Sequence, residues 1–378
     1  MKDTTAGKFN FTKMFSHTDT TELFFALVRC GIGKEKTLPS TPTPSQWHEL
    51  FETAKRQTLA GIAFAGIERL PSEQRPPKEI ILQWYTLCES IKNRNIDLNN
   101  KAAIVSRKFK TEGFSNCILK GQGIAQLYPN PLLRTPGDID IWLDGGDKKV
   151  IAYVKEIFPD CAPTYHHVDF PVSAEVEIEI HYRPSWMCNP CTDRKIQRFY
   201  SAQAAELFNR NDSEELDTFP IPDIAFNRIF ILHHIYRHLF SEGIGIRQVL
   251  DYYFVMQQEM TEEERKAYIG QLKEFGLHKF ASAVTYVMQR MFALDKEHTI
   301  VEPNRKEGEF LLREMMLAGN FGMYDTRYTT AAHGINMGHM SNIAKRSFRL
   351  FAHYPAETFW TPIFKIWHWF WRKKNGHK

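Results

Sequence analysis

The sequence predicts an α+β protein: a small mixed sheet in the middle of the chain, with helical regions before and after it. Three observations predict this. Up to about Glu112 the apolar residues recur at three- and four-residue intervals, the period of a helix buried along one side. Between Gly113 and about Tyr200 the pattern changes to short apolar runs and period-two alternation, broken by Gly and Pro. From about Ser201 the helical period returns and holds. Those changes divide the chain into residues 1–112, 113–200 and 201–378.

In the first region, TELFFALVRCGI, SQWHELFETAKRQTLAGIAFAGIERL and KEIILQWYTLCESIKNRNIDLNNKAAIVSRKFKTE each carry an apolar helical stripe, separated by the Pro-rich breaks LPSTPTPS and LPSEQRPP. In the second, FSNCILKG is a short strand ending at a Gly turn, GIAQLY a single short helix, PNPLLRTPG a loop, and DIDIWL a strand. KKVIAYVKEIF is an amphipathic helix, and TYHHVDFPV and AEVEIEIHYRP are strand-like segments that pair as a hairpin. In the third, IPDIAFNRIFILHHIYRHLF, IRQVLDYYFVMQQ, TEEERKAYIGQLKEFG, HKFASAVTYVMQRMF and EGEFLLREMM are helices, the third opened by a Thr-x-x-Glu capping box.

The whole-chain numbers narrow the class. The 378 residues suffice for a sizeable core, and 43% hydrophobic with 24% charged is an ordinary globular balance. A formal charge of +4 is too small to argue for nucleic-acid binding. No run of about 18 apolar residues is present and the N-terminus lacks an apolar signal core, so a cytoplasmic protein is expected. The six Cys are scattered, which favours reduced thiols. Cys188 and Cys191 form a C-x-x-C without a second pair, and two cysteines in a loop account for it better than a zinc site does.

Chemistry concentrates in the middle region. On a strand, Asp138 and Asp140 face the same side, about 7 Å apart, with Ile139 turned to the core. Paired carboxylates repel unless a cation lies between them, and a hard ion such as Mg²⁺ or Mn²⁺ takes oxygen ligands while leaving room for phosphate. A third carboxylate is expected from AEVEIEIHYRP, where Glu175, Glu177, Glu179 and His181 share a face. Glu179, deepest and beside His181, is the choice; Glu175 and Glu177 are read as a solvated end. Lys120 and Gly121 end a strand at a helix start, an arrangement that offers backbone N–H groups and a positive charge to phosphate. Arg134, in the loop entering D-I-D, has the planar fork for a triphosphate, against a surface ion pair.

Taken together, LKGQGIAQLYPNPLLRTPGDIDIWL and EIEIHYRP resemble the uncharacterised bacterial nucleotidyltransferase family, a branch of the polymerase-β superfamily. Lys120, Gly121, Leu127, Tyr128, Pro129, Arg134, Asp138, Asp140, Glu179, His181 and Tyr182 fit its pattern, and ILHHIYRHLF with GIRQVLDYYFVM is similar to its C-terminal helices. The resemblance implies a polymerase-β-like core and transfer of a nucleoside monophosphate from an NTP to a hydroxyl acceptor, with release of pyrophosphate. It implies two metals on Asp138, Asp140 and Glu179, with Glu179 also helping to activate the acceptor, and a triphosphate held by Lys120, Gly121 and Arg134. One departure is plain: the Gly-Ser that usually follows the first strand is Gly121-Gln122 here.

Two other readings compete. A D-x-D glycosyltransferase normally has strand–helix units upstream of the motif, whereas this chain is helical there. A non-catalytic binding or scaffold protein on a degenerate fold fits the missing Ser but not the intact carboxylates. Elsewhere, His233, His234 and His238 are read as packed histidines, Arg247 and Asp251 as an i,i+4 pair or as cleft residues, and the basic, Trp-rich C-terminus as aromatic packing in preference to a membrane-surface helix or an acceptor cover.

Overall fold

The computed structural model describes residues 18–210, 218–327 and 337–375. In chain order, α1 (Thr18–Gly31), α2 (Pro44–Arg56), α3 (Ala60–Arg69) and α4 (Lys78–Thr111) lead into β1 (Asn116–Leu119), α5 (Gly121–Ala125), β2 (Ile139–Leu143), α6 (Gly146–Ile157), β3 (His167–Asp169) and β4 (Ile178–His181). The helices α7 (Pro190–Arg210), α8 (Ile224–Ser241), α9 (Ile246–Met256), α10 (Glu262–Glu274), α11 (His278–Phe292), α12 (Arg305–Ala318), α13 (Met337–Phe351) and α14 (Pro355–Lys374) follow. None of the described helices is long and apolar enough to cross a membrane. The α+β class, a small sheet flanked by helices from both sides of the chain, is the one expected.

The four strands lie in the order β1-β2-β4-β3. The pair β1/β2 is antiparallel, β2/β4 parallel, and β3/β4 the expected hairpin, with His167 opposite His181 and Asp169 opposite Glu179. Strand alternation then sorts the side chains into two sets. Ile118, Ile139, Ile141, Leu143, Val168, Ile178 and Ile180 join the second half of α4 (Leu98, Ala102, Val105, Phe109) in one apolar core. From the other face, Cys117, Leu119 and Trp142 join a larger core. There Trp142 stacks on Phe226 of α8 at 5.7 Å. Asp140, Glu179 and His181 belong to this second face, so the sheet carries its polar residues toward the C-terminal helices.

The larger core is continuous from α1 through α3 and the first half of α4 to α8, α9, α11 and α12. The helices before and after the sheet therefore bury their apolar faces against each other, and the 34-residue α4 runs through both cores. Close approach sets some identities: a Cβ on Gly61 would lie 2.1 Å from the Leu133 carbonyl oxygen, so only glycine lets α3 meet the loop that leads to β2.

Candidate active site

The site begins at a strained turn. Lys120, at the end of β1, has φ +43°, and Gly121 follows with φ +37°. A non-glycine residue in that region costs about 1–3 kcal/mol and is retained where the surroundings fix it. The turn folds the Lys120 side chain back over the sheet, where Nζ lies 2.9 Å from Asp140 Oδ2 and 4.0 Å from Asp138 Oδ2. The α5 helix that follows is only five residues long and brings little dipole to a phosphate. Gln122, which stands in place of the usual serine, points inward: its side-chain amide donates to Asn99 Oδ1 at 2.7 Å and Asn95 Oδ1 at 3.3 Å, on α4.

Asp138 lies one residue before β2, and Asp140 is the second residue of the strand. The parallel register sets Asp140 beside Glu179. Asp138, Asp140 and Glu179 each offer a carboxylate oxygen, and these oxygens all lie within 4.8 Å of one another, closer than the spacing along an ideal strand suggests. Glu175 and Glu177 precede β4 and are exposed. Glu175 pairs with Lys101 at 2.9 Å.

Three carboxylates this close fit a hard divalent cation. Asp140 is 1% exposed, and its Oδ2 is buried with only the Lys120 ammonium as a described partner. Burial and the neighbouring Asp138 raise the Asp140 pKa. Lys120 lowers that of Asp138, the carboxylate more open to solvent.

His181 Nε2 lies 2.7 Å from Asp140 Oδ1 and 3.2 Å from Glu179 Oε2. Burial works against its imidazolium, but the hydrogen bonds to the two carboxylates outweigh burial and raise its pKa to about 9. Burial likewise opposes ionisation of Glu179, and the hydrogen bonds from His167 and His181 reverse it, holding this carboxyl well below the usual range. Such a carboxylate is a good cation ligand and a poor proton acceptor.

Arg134, expected to hold the triphosphate, is engaged inside the protein. It is 4% exposed, and its fork closes on Asp251 of α9, Nε to Oδ1 at 2.7 Å and Nη2 to Oδ2 at 2.8 Å. Tyr128 donates to the same carboxylate at 2.7 Å, and Asn95 Nδ2 donates to the Leu132 and Arg134 carbonyls at 2.8 Å. Asp251 takes Arg134, so it does not pair with Arg247, one turn earlier on α9. Arg247 instead donates to the Thr135 carbonyl at 2.6 Å, and its buried Nε has no hydrogen-bond partner among the described residues. Burial and the nearby Arg134 push the Arg247 pKa down to about 10.

The model of a family described as uncharacterised nucleotidyltransferase matches residues 43–293, well over half of the chain. This chain belongs to that family. No curated protein matches it. The family match covers the sheet, the carboxylates and α8 to α11, so the nucleotidyltransferase assignment and the acidic cluster refer to the same part of the molecule.

Other residues flagged in the sequence fall outside the acidic cluster. His233 accepts from Tyr200 Oη at 2.6 Å and donates to the Trp186 carbonyl at 3.0 Å. His238 contacts Glu242 at 2.7 Å. The Cys188 and Cys191 thiols are free. Along α14, Phe364, Trp367 and Trp371 pack edge-on against Tyr165. Sequence reasoning missed His166 and His167, which the hairpin brings beside Glu179, and Arg237, whose guanidinium stacks on Trp186 at 4.3 Å. The adjacent histidines of TYHHVDF were the one visible signal, and only the strand register gives them meaning.

Proposed function

We propose that this protein transfers a nucleoside monophosphate from an NTP to a hydroxyl acceptor and releases pyrophosphate, using two divalent metals, Mg²⁺ or Mn²⁺. The observation that carries this reading is the convergence of the Asp138, Asp140 and Glu179 oxygens within 4.8 Å on the face of a nucleotidyltransferase-family sheet. Bound there, the ions supply neutralising charge for the triphosphate and acidify the acceptor hydroxyl. The chain's own residues hold and orient. Asp140 and Glu179 are fixed in the register of β2 and β4, with His181 bridging them. Asp138, the more solvent-open carboxylate, is freed from the Lys120 charge that lowers its pKa when Lys120 turns to the phosphates, and receives the acceptor proton as the oxygen–phosphorus bond forms and the bond to pyrophosphate breaks. Lys120 turns from the carboxylates to the phosphates, beside the Gly121 backbone, and Arg247 grips the leaving pyrophosphate in place of the internally paired Arg134. Catalysis of this kind is mainly positioning and electrostatics.

The contact of Lys120 with Asp140 also favours a second reading, a degenerate site in which the ammonium stands permanently in place of the cation. Incubation with each labelled NTP and Mg²⁺ or Mn²⁺ separates the two. Pyrophosphate release with label transfer supports the enzyme; no turnover, with a melting temperature indifferent to metal, supports the degenerate fold.

A further inference from the structure

Beside the acidic cluster, on the β3 side of the sheet, lies a second set of donors rich in nitrogen. His166 and His167 come from β3 and the residue before it, His181 and Glu179 from β4. One ligand atom from each lies within 4.8 Å of all the others. The individual separations are more telling. His166 Nε2 is 3.1 Å from His167 Nδ1, His167 Nδ1 is 3.1 Å from Glu179 Oε2, and His181 Nε2 is 3.2 Å from the same oxygen. Four donors held about 2.0–2.1 Å from one ion at tetrahedral angles stand about 3.3 Å apart.

The outer sides of the rings point the same way. His181 Nδ1 faces the Arg183 carbonyl at 3.3 Å, an acceptor that holds a proton on Nδ1 when a metal displaces the Nε2 proton now shared with Asp140 at 2.7 Å and Glu179 at 3.2 Å. Thr164 Oγ1 donates to the His167 carbonyl at 3.0 Å and so accepts from His166 Nδ1, 3.3 Å away, which aims the His166 Nε2 lone pair at the same centre. This is how metal-binding imidazoles are usually oriented from behind. With a metal in place of that proton, the His166 and His181 Nε2 lone pairs and a Glu179 oxygen meet in a protected place. His166 and His181 are buried, the Trp186 ring lies 4.1 Å from the His166 ring, and Phe364 of α14 stacks on Trp186. The partly exposed edges of His167 and Glu179 leave an entry path.

We propose that His166, His167, His181 and Glu179 form a four-coordinate site for a transition-metal ion of the Zn²⁺ class, next to the oxygen-only site and sharing Glu179 with it. Three imidazoles and one carboxylate select a borderline ion over Mg²⁺, whose coordination is octahedral and all-oxygen. The site does not depend on the transfer reaction, and its test does not read activity.

The test is titration of the metal-free full chain with Co²⁺ in the presence of millimolar Mg²⁺. One equivalent of Co²⁺ is expected to bind with the intense visible absorption of a four-coordinate ion, and one equivalent of Zn²⁺ to displace it. His166→Gln and His167→Gln are expected to weaken binding about tenfold or more, with circular dichroism unchanged for the more exposed His167→Gln. The double variant Cys188→Ser/Cys191→Ser is expected to bind as the wild type does, which separates this site from the C-x-x-C. No Co²⁺ uptake by the folded wild-type chain overturns the proposal. So does a pale six-coordinate spectrum abolished by Mg²⁺, or loss of binding in the cysteine variant. Each of these results leaves nucleotidyl transfer on the acidic cluster standing, to be judged by its own assay.

Discussion

Asp140 and Glu179 sit opposite each other across the parallel β2/β4 pair, and a single imidazole nitrogen, His181 Nε2, lies within 3.2 Å of both. Neither carboxylate depends on a loop for its position. Each is set by strand register, and the register is fixed by the apolar face of the same strands, Ile139 and Ile141 against Ile178 and Ile180.

Asp138→Asn and Asp140→Asn are near-isosteric and remove charge from the cluster. Each is expected to abolish label transfer, a drop of at least about 10²-fold, while far-ultraviolet circular dichroism stays as in the wild type. Glu177→Gln, at an exposed position before β4, is expected to retain activity. Glu179→Gln is expected to lose it. The reverse pattern for the two glutamates moves the third ligand by one strand repeat.

Arg134 and Arg247 are expected to separate stability from substrate binding. Arg134→Ala strands the buried Asp251 carboxylate, a change that costs about 3–5 kcal/mol when one partner of a buried pair is removed. Urea unfolding reads this loss. Arg247→Ala breaks one hydrogen bond, to the Thr135 carbonyl, and is expected to cost little stability while raising the KM for NTP about tenfold or more. Equal stability losses for the two variants, with KM unchanged for Arg247→Ala, remove Arg247 from the phosphate grip.

The division between these arginines shows where the sequence stops being informative. Period-two alternation in DIDIWL and EIEIHY, with the pairing rules of strands, was enough to bring Asp140 to Glu179. Arg134 looked available because its partner, Asp251, lies 117 residues away on α9. Local reading instead offered Asp251 to Arg247 at i,i+4. The pair His166–His167 carried no periodic signal, since neighbouring residues on a strand face opposite sides; their nitrogens meet because His167 Nδ1 turns toward His166 Nε2. The inward turn of Gln122 was hidden for a related reason, since its partners Asn95 and Asn99 lie on α4, more than twenty residues earlier.

The buried His233 is expected to shape the acid limb of stability. Burial, then the nearby Arg237, pushes its pKa from 6.5 down to about 3. Between those values the unfolded chain binds a proton that the folded chain refuses. Its contribution is therefore complete above pH 6.5 and is lost as the pH falls toward about 3, at roughly 1.4 kcal/mol per pH unit. His233→Gln, which keeps a donor for the Trp186 carbonyl and an acceptor for Tyr200, is expected to flatten the limb by that slope. Urea midpoints measured across the window check it; an unchanged slope places the acid sensitivity in other groups.

The acidic cluster is also expected to report metal binding without turnover. Mg²⁺ or Mn²⁺ at millimolar concentration, with NTP, is expected to raise the wild-type melting temperature by mass action, and Asp140→Asn is expected to lose the shift. A shift of the same size in the variant places the metal elsewhere.

Pyrophosphate release from labelled NTP in the presence of Mg²⁺, compared between the wild type and Asp140→Asn at equal folded concentration, decides whether the carboxylate cluster is the catalytic centre. The wild type is expected to release pyrophosphate and transfer label, and the variant to do neither. Full release by Asp140→Asn removes the reaction from this cluster.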